Sequence, residues 1–430
     1  MFVYSICYAA SYGFARFGWY YASGGALFLA AGYLYYNDYH KSGNLVHLRG
    51  LFCAFWTGGQ AMACLKLSNL QSDWSLMTWA CFYTALAGFW VTYEIAEHCY
   101  GEGYGRRRRP AKTCSVRPLF RCMQALALVS VSGFIFEAVK LNYIPLLVKG
   151  VPHAYSEFHL TGVHYFTVSC VLVPSLAVLF FLEGGSRRRY RNVMAVLMTI
   201  ISLAIPILCV SRFQLIFAVL LACFTFGSYY RRMSPWIIPA LFVVLLPFYV
   251  ILTIARSHDV AYLNGIFEMK NTEMPIFISQ PYIYIANNYE NFDCLVEALP
   301  QHTLGIRMLF PAWALTGLKF VFPYLISFPL YVTKTELTTV TLFYDAYYDF
   351  GIFGVAALSC ALGAAAFWLV NTVRSSKSEN PMWYVFYGQF GVYMMLSFFT
   401  TWFSNPTTWF YLAVTGGMAW YCKRDGRRGR

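Results

Sequence analysis

Charged residues are scarce in this sequence. They make up 12% of the 430 residues, whereas hydrophobic residues make up 59%, and the mean hydropathy is +0.50. A soluble domain of this length could not keep such a composition in solution. The alternating segments of about ten residues that build membrane barrels are missing as well. The composition therefore predicts an all-α, polytopic integral membrane protein whose solvent is the lipid bilayer.

The cysteines lack the spacing that disulfide frameworks and metal sites require. All thirteen are scattered, mostly inside apolar runs, with no C-x-x-C pair and no histidine at ligand spacing. They are typical of small core residues. We therefore predict no metal and no cofactor. A cleavable signal peptide is not expected either, because the first apolar stretch lacks a basic flank and continues into further apolar runs.

Apolar runs of about 18 to 25 residues recur along the chain, and such a run crosses the roughly 30 Å hydrocarbon layer as a helix. They predict about eleven spans, within a range of about ten to thirteen. Residues 1–16 stay unassigned, since they suit a lead-in, a re-entrant piece or one more span. The predicted spans are 17–37, 47–66, 74–98, 118–138, 161–183, 192–211, 213–229, 235–256, 344–372, 382–402 and 406–421.

The basic residues indicate the orientation of these spans. Most of the 32 lysines and arginines lie in alternate connections and in the C-terminal tail, and the positive-inside rule places those parts in the cytoplasm. The run Arg106–Arg109 is interpreted as a topology anchor in the same way. The net charge of +13 therefore indicates topology and contact with anionic lipid headgroups, and we predict no binding to nucleic acid.

The one long connection, residues 257–343, lies on the opposite, non-cytoplasmic side. Nine of the nineteen acidic residues lie in it or just after it. Pro311, Pro323 and Pro329 cut its apolar stretches into pieces too short to span easily, so we expect interfacial or re-entrant helices. An extra hairpin over 304–331 is the alternative. The predicted parts of this integrated membrane domain are an N-terminal helical bundle (1–256), the external loop (257–343) and C-terminal helices with a basic tail (344–430).

Three arginines are candidate ligands for phosphate. Arg212 lies in the tight turn between two spans, Arg256 ends a span, and Arg307 belongs to the stretch PQHTLGIR of the long loop. A cation at membrane depth is costly unless it is paired or reaches the surface, and a guanidinium forms two parallel hydrogen bonds with phosphate. The alternative is a membrane anchor or an ion pair with a loop carboxylate.

Candidate groups for proton transfer lie in the same region. His258 and His302 stand close to two of these arginines, and a histidine accepts a proton from a sugar hydroxyl near neutral pH. A solvated loop histidine is the commoner case. Asp345 and Asp349 stand four residues apart at the start of a span, hence on one helical face. The helix macrodipole alone would favour one such carboxylate there.

Aromatic and amide side chains are interleaved in the stretch 279–301. Tyr282 and Tyr284 offer faces for stacking on a sugar ring, and Asn287 and Glu290 offer groups that bond its hydroxyls. An aromatic belt at the membrane interface is the alternative interpretation.

Several short motifs occur together in this chain. They are the turn Ser211-Arg212, the span that ends in Arg256, the segment YIYIANNYENF, and above all a Y-D-F-G-x-x-G element within TLFYDAYYDFGIFG (341–354). With these motifs the sequence resembles the Wzy-type polymerases that assemble bacterial O-antigen, capsule and exopolysaccharide, which share their architecture with O-antigen ligases.

The resemblance implies an architecture, a reaction and a substrate. It implies a GT-C-like arrangement of helices in the bacterial cytoplasmic membrane, with a cytoplasmic C-terminus and an active face in the periplasm or outside the cell. The implied reaction is the metal-independent, inverting transfer of a growing glycan from undecaprenyl diphosphate to the next lipid-linked oligosaccharide. The implied partners are this substrate and, in the same pathway, a flippase and a chain-length regulator.

The resemblance also implies roles for the candidate residues. The departing diphosphate would be held by Arg212, Arg256 and Arg307. The acceptor hydroxyl would be deprotonated by one of His258, His302, Asp345 and Asp349. The glycan path would be lined by Tyr282, Tyr284, Asn287, Glu290, Tyr344 and Tyr348.

Three other functions stay open from the sequence alone. An O-antigen-type ligase uses the same donor with a different acceptor, and no motif here separates the two. A transporter or flippase of lipid-linked sugars tends to have internal repeats and polar residues at mid-bilayer, and the chain has no evident repeat. A structural membrane scaffold would not require the clustering of Arg, His, Asp and Tyr on one loop.

Overall fold

The computed structural model describes residues 1–101, 116–148, 157–230, 260–374 and 380–428, together with residues 234, 236, 237, 243 and 247. Arg256, His258 and nearly all of the predicted span 235–256 lie outside the described residues. Helix accounts for 75% of the structure, and the described residues contain no strand. The predicted all-α class is confirmed.

The described residues form fifteen α-helices. In chain order they are α1 (Phe2–Arg16), α2 (Tyr20–Ser42), α3 (Leu48–Cys64), α4 (Leu76–Tyr100), α5 (Val116–Leu141), α6 (Val163–Leu182), α7 (Arg189–Leu208), α8 (Arg212–Tyr229), α9 (Val260–Phe267), α10 (Ile276–Ala298), α11 (Phe310–Leu315), α12 (Leu318–Val321), α13 (Tyr344–Arg374), α14 (Met382–Met395) and α15 (Pro406–Arg428).

Among the described residues, five helices are long and apolar enough to cross a membrane: α5, α6, α7, α8 and α13. The predicted count of about eleven spans is therefore not confirmed. Helices α3 and α14 have 17 and 14 residues, fewer than the roughly 20 that cross the hydrocarbon layer. Helices α2 and α4 are long enough, but tyrosine and tryptophan take the place of many aliphatic residues along them.

Aromatic side chains make up much of the buried core, as the aromatic content of 20% requires. Trp56 of α3 lies at the centre of this core, and its ring centre is 5.0 Å from that of Phe343, 5.3 Å from that of Tyr289 and 5.6 Å from that of Phe82. Tilted and edge-to-face pairs at these distances stabilise packing beyond the area they bury. The core thereby joins α3 and α4 to the segment that leads into α13.

Helices α4 and α13 pack side by side through small residues. An added Cβ at Gly363 would collide with the backbone carbonyl of Phe89, and the hydroxyl of Ser359 donates to the Ala85 carbonyl across the interface. Small residues that let two backbones approach are typical of helix pairs in membranes. The contact moves forward from Ala85 to Phe89 on α4 as it moves forward from Ser359 to Gly363 on α13. The two helices therefore run in the same direction, and the beginning of α13 lies level with the beginning of α4.

Helix α10 crosses the ends of several other helices. It is 23 residues long, and four of its contacts mark its course: Gln280 with Arg212 of α8, Glu290 with Lys66 after α3, Asp293 with Thr78 of α4, and Asn288 with the Phe398 carbonyl after α14. We call this end of the bundle the α10 face. Helix α13 begins at the same face, because the ring of its Tyr347 lies 5.4 Å from Phe292 of α10.

The structure corrects the expected exposure of residues 257–343. The segment was predicted to be an external loop with short helices, and α11 and α12 are indeed short. Its middle, however, is α10, whose polar residues are mostly buried between the helix ends and the irregular stretch 331–341. Buried polar groups are tolerated there because they are hydrogen-bonded.

The opposite end of the bundle contains a buried ionic cluster. Arg49 donates to Asp38 of α2 at 2.7 Å and to Glu94 and Glu97 of α4 at 2.7 Å and 3.0 Å. His47 is also paired with Asp38. Arg49 and Asp38 are both buried, so removing Arg49 would take a permanent cation from the buried carboxylate of Asp38, which costs about 3–5 kcal/mol. The cluster therefore fixes α2, α3 and α4 to one another far from the α10 face.

Candidate active site

The loop of residues 302–308 is hydrogen-bonded to the first turns of α13. The amide of Thr303 donates to the carbonyl of Tyr348 at 3.3 Å, and that of Leu304 donates to the carbonyl of Asp349 at 3.2 Å. Leu304 and Gly305 have positive φ values of 52° and 98°, so the loop turns sharply where it meets the helix. The predicted residues of PQHTLGIR and of the Y-D-F-G-x-x-G element thus come together in one site.

Asp349 holds this loop in place. Its carboxylate accepts hydrogen bonds from the hydroxyl of Thr303 and from the backbone amides of Arg307 at 3.2 Å and Met308 at 2.7 Å. Asp349 is fully buried, so these donors replace water around its charge. Both carboxylate oxygens are occupied, and the residue therefore positions the loop in this conformation.

Arg307 is fixed by an ion pair and two aromatic rings. Its Nε donates to Asp345, and its guanidinium carbon lies 4.5 Å from the ring centre of Tyr348 and 5.4 Å from that of Tyr344. Burial disfavours the charged form, but the charge and hydrogen bond of Asp345, together with Tyr344 and Tyr348, raise the pKa of Arg307 above its ordinary value. The Arg307 guanidinium therefore stays charged, and the Nε side of the group is fixed by Asp345.

The other edge of the Arg307 guanidinium carries its two Nη groups. No described residue accepts a hydrogen bond from them, and the side chain keeps 17% of its surface exposed. Two parallel N–H donors on a rigid, stacked guanidinium match a pair of phosphate or carboxylate oxygens. The site can thus bind an anion without breaking the ion pair with Asp345.

His302 belongs to the same loop as Arg307 and is exposed. Its Nδ1 is 3.2 Å from the carbonyl oxygen of Tyr348, and since a carbonyl only accepts, Nδ1 carries the proton. In the neutral ring Nε2 is then the basic nitrogen. Both His302 and Arg307 contact Tyr348, one through its backbone and the other through its ring. A proton acceptor and a fixed cation are thereby adjacent to the same residue.

The two glycines of the Y-D-F-G-x-x-G element form a kink in α13. The backbone of Gly351 has φ 60° and ψ −147°, a conformation that does not occur in a regular helix. An added Cβ at Gly354 would collide with the carbonyl of Ala346. Gly354 meets its own chain, and Gly351 lies against the imidazole of His302. The kink directs residues 344–350 toward the 302–308 loop.

Replacement of Gly351 with alanine is expected to destabilise the protein by about 1–3 kcal/mol, because only glycine adopts this backbone conformation readily. The added Cβ would also lie 3.1 Å from Nε2 of His302 and displace the ring. Thermal unfolding in detergent measures the loss. Gly58→Ala on α3, where an added Cβ has nothing within 4 Å, is the matched control. Equal unfolding temperatures for Gly351→Ala and the unmodified protein would contradict the assignment.

Large apolar side chains surround the polar groups of this site. Leu304 is 75% exposed and Phe353 is 80% exposed, and Leu309 and Phe350 are about half exposed. An exposed apolar patch beside a cation suits a ligand that is itself amphiphilic. Tyr344 and Tyr348 are buried, and their hydroxyls bond to the backbone of Tyr331 and of Pro329, so the structure corrects the expectation that they line an open glycan path.

Three of the predicted glycan-binding residues are buried inside the α10 face. Tyr282, Asn287 and Glu290 are only 1–3% exposed, and their polar atoms bond to the protein itself. The structure therefore corrects the expectation that they line an open glycan path. Tyr284 is partly exposed, so a sugar could reach it without a rearrangement.

The asparagines of YIYIANNYENF bind the stretch 331–341 to α10. The amide nitrogen of Asn291 donates to the carbonyls of Leu337 at 2.7 Å and Thr339 at 2.8 Å, and its oxygen accepts from the amide of Thr333 at 2.8 Å. Asn287 accepts from the hydroxyl of Thr333 at 2.9 Å. The three bonds of Asn291 thus pair backbone groups of a segment that belongs to no helix or strand.

Asn291→Leu is expected to release this segment, because three backbone groups would lose their partners, and the buried carbonyl of Leu337 alone would cost about 1–3 kcal/mol. Faster tryptic cleavage after Lys334, which lies in the segment and pairs with Glu268 at 2.8 Å, would report the release. Asn271→Ala, at an exposed position whose side chain caps only its own turn, is the control and should leave the cleavage rate unchanged. Unchanged cleavage in Asn291→Leu would show that the asparagine does not hold the segment.

Sequence reasoning missed the ion pair between Lys66 and Glu290. Lys66 Nζ lies 2.7 Å from the Glu290 carboxylate, which also accepts from the indole of Trp74 at 2.9 Å and the amide of Ser72 at 3.2 Å. The available signal was a lysine at the non-cytoplasmic end of the predicted span 47–66, where lysine is rare. The pair binds the connection between α3 and α4 to α10.

The structure does not bring Arg212 to the Arg307 site. Arg212 is 7% exposed and donates to Gln280 at 3.1 Å. The Arg307 site packs against α10 at Phe292, twelve residues further along, which is about 18 Å by helical rise. Arg256 and His258 lie outside the described residues, and their predicted roles stay predictions.

The described residues contain no group of three or more His, Cys, Asp or Glu side chains that could hold a metal ion. A comparison of the chain with protein-family models, with curated proteins and with solved structures finds no match. The resemblance to oligosaccharide polymerases therefore depends on the sequence motifs, and the site itself depends on its geometry.

Proposed function

We propose that the protein is a glycosyltransferase that polymerises oligosaccharide units carried on undecaprenyl diphosphate, with the Arg307 site as its reaction centre. The site would lie at the outer surface of a bacterial cytoplasmic membrane. Its polar residues are at the α10 face, whereas Arg374 and the basic C-terminal residues lie at the far ends of α13 and α15, and basic helix ends are favoured on the cytoplasmic side.

The observation that carries the proposal is the pairing of His302 and Arg307 around Tyr348. Glycosyl transfer from a diphosphate requires a base for the acceptor hydroxyl and a positive group where the leaving diphosphate gains charge. Nε2 of His302 suits the first task, and the two Nη groups of Arg307 suit the second. The exposed apolar side chains beside them suit the lipid carrier.

The proposed reaction is a single displacement at the anomeric carbon of the donor. The acceptor hydroxyl oxygen forms a bond to this carbon while its proton passes to Nε2 of His302. The bond between the anomeric carbon and the diphosphate oxygen breaks, and the diphosphate keeps the electron pair. Arg307 stabilises the added charge, and attack from the side opposite the diphosphate inverts the anomeric configuration.

A flippase of the same lipid-linked sugar is less well supported by this arrangement. Transporters bind their substrates near the bilayer midplane, between repeats that rock against each other. Here the candidate groups lie at the ends of helices, and α13 is anchored to α4 through close backbone packing. The positions of Arg307 and His302 thus favour chemistry at a surface.

Purified full-length protein in liposomes, supplied with sugar-labelled lipid-linked oligosaccharide from its host, tests the proposal. Products that carry two or more repeats on one lipid are expected. Labelled single repeats that cross the bilayer without elongation would indicate a transporter. Transfer of the glycan only to an added lipopolysaccharide core would indicate a ligase, and either result would overturn the polymerase.

A further inference from the structure

A lateral cavity of about 470 Å³ lies between α5, α6 and α15. We call it the α5–α15 groove. Its walls are mostly apolar and include Ala125, Val129, Phe166, Phe410, Val414 and Gly417. The volume is about three times the ~150 Å³ apolar cavity that stays dry and binds benzene. It therefore accommodates a ligand considerably larger than one aromatic ring.

The groove opens toward the hydrocarbon layer. Ala125 is exposed, and Val129 and Phe166 are 41% and 46% exposed. They belong to α5 and α6, which are both long and apolar enough to cross a membrane. A ligand that enters between them therefore comes from the bilayer and is not delivered from water.

The length of the groove matches one leaflet. From Phe410 to Tyr421 the wall of α15 rises about 16 Å, at 1.5 Å per residue. The hydrocarbon layer is roughly 30 Å thick, so the groove extends over about half of it. A lipid chain of a single leaflet fits this length.

One end of the groove is polar and basic. Nη1 of Arg121 donates to the hydroxyl of Tyr421 at 3.1 Å. Arg117 lies one helical turn before Arg121 on α5, and Lys423 and Arg424 follow Tyr421 on α15, all of them exposed. Several cations at the mouth of an apolar groove complement a negatively charged lipid headgroup.

We propose that the α5–α15 groove is a binding site for an anionic phospholipid of the leaflet that faces the basic helix ends. One acyl chain would lie along Ala125 and Val414, and the phosphate would contact Arg121. This site is separate from the Arg307 site, which lies at the α10 face, and it does not depend on the proposed polymerase activity. Its occupant would link α5 and α15, which are far apart in sequence.

Native mass spectrometry of the delipidated full-length protein tests this site with phosphatidylglycerol and phosphatidylcholine of equal chain length. Phosphatidylglycerol is expected to bind at least about tenfold more tightly, because its headgroup charge is not neutralised within the lipid. Ala125→Trp, which fills the groove, and Arg121→Gln, which removes the cation, are each expected to lower that affinity about tenfold. Gly417→Leu fills the groove from α15, where an added Cβ has nothing within 4 Å.

Two control variants match these changes. Leu128→Trp adds the same side chain on α5 at a position that is 69% exposed and does not line the groove, and Arg188→Gln removes an exposed cation elsewhere. Both should bind phosphatidylglycerol as the unmodified protein does. Equal affinity for the two lipids, or unchanged binding in both filled variants, would overturn the proposal. Displacement of phosphatidylglycerol by equimolar undecaprenyl phosphate would overturn it too, because the groove would then belong to the lipid carrier.

Discussion

Arg307→Lys is expected to slow glycan transfer by about 100-fold or more while the protein stays folded. Lysine keeps the positive charge that Asp345 requires, but its ammonium neither presents a planar pair of donors nor stacks on Tyr348 as a guanidinium does. The loss should fall on kcat, because the diphosphate gains charge only as its bond to the sugar breaks. The initial rate of chain elongation in liposomes measures it.

The control for this variant is a neighbouring cation. Lys319→Gln removes a positive charge that lies against Phe320, 5.0 Å from its ring centre, and elongation should continue at the normal rate. A second variant, Arg307→Gln with Asp345→Asn, removes both charges of the ion pair. The double variant leaves no unpaired carboxylate, so its unfolding temperature should stay unchanged. A loss of glycan transfer at that unchanged temperature would show that the pair acts in the reaction and not in folding. Normal elongation by Arg307→Lys would contradict the role of the guanidinium.

The helices that sequence patterns predict best are those with aliphatic surfaces. The predicted spans 118–138, 161–183, 192–211, 213–229 and 344–372 coincide with α5, α6, α7, α8 and α13, the helices suited to crossing a membrane. A long aliphatic run permits few other structures, because the backbone must bond internally in lipid. The shorter or aromatic-rich helices give no comparable signal, which explains why the predicted number of spans is not confirmed.

Part of the site was predictable because local geometry dictates it. Asp345 and Asp349 stand four residues apart and do face the same loop, through Arg307 and through the loop amides. Helical periodicity requires this shared face. The partners of the two carboxylates were not predictable. Arg307 is separated from them by some forty residues, and the path of those residues depends on α11, α12 and the stretch 331–341.

Helix α10 shows why a polar segment was interpreted as exposed. The residues Asn287, Asn288 and Asn291 would normally indicate a solvated loop. In the fold all three are buried because their amides find partners in the protein. Asn291 bonds to backbone groups of the stretch 331–341, Asn287 accepts from the hydroxyl of Thr333, and Asn288 bonds to the Phe398 carbonyl and the Thr339 hydroxyl. Glu290 is buried for a similar reason, beside a lysine 224 residues away in sequence. Pairings over such distances leave no periodic pattern in a single sequence.

His302→Ala is expected to lower kcat for glycan transfer by about 100- to 10,000-fold, the range that general-base catalysis contributes. KM should change little, because Nε2 acts on the acceptor proton and not on the lipid carrier. Imidazole added to the reaction is expected to restore part of the rate, since the deletion leaves room beside Gly351. A side chain that only supported the loop could not be replaced by a free base, so rescue separates catalysis from positioning.

The control is His40→Ala, which removes an exposed histidine of α2 and should leave the rate unchanged with or without imidazole. If His302→Ala elongated chains at the normal rate, the base would have to be found elsewhere. Asp349 is a poor replacement, because its two oxygens already accept from Thr303 and from the amides of Arg307 and Met308. Asp345 could take a proton only by losing the charge that pairs with Arg307, which would weaken the site for the departing diphosphate. A normal rate would therefore contradict the reaction centre as a whole and not just the choice of base.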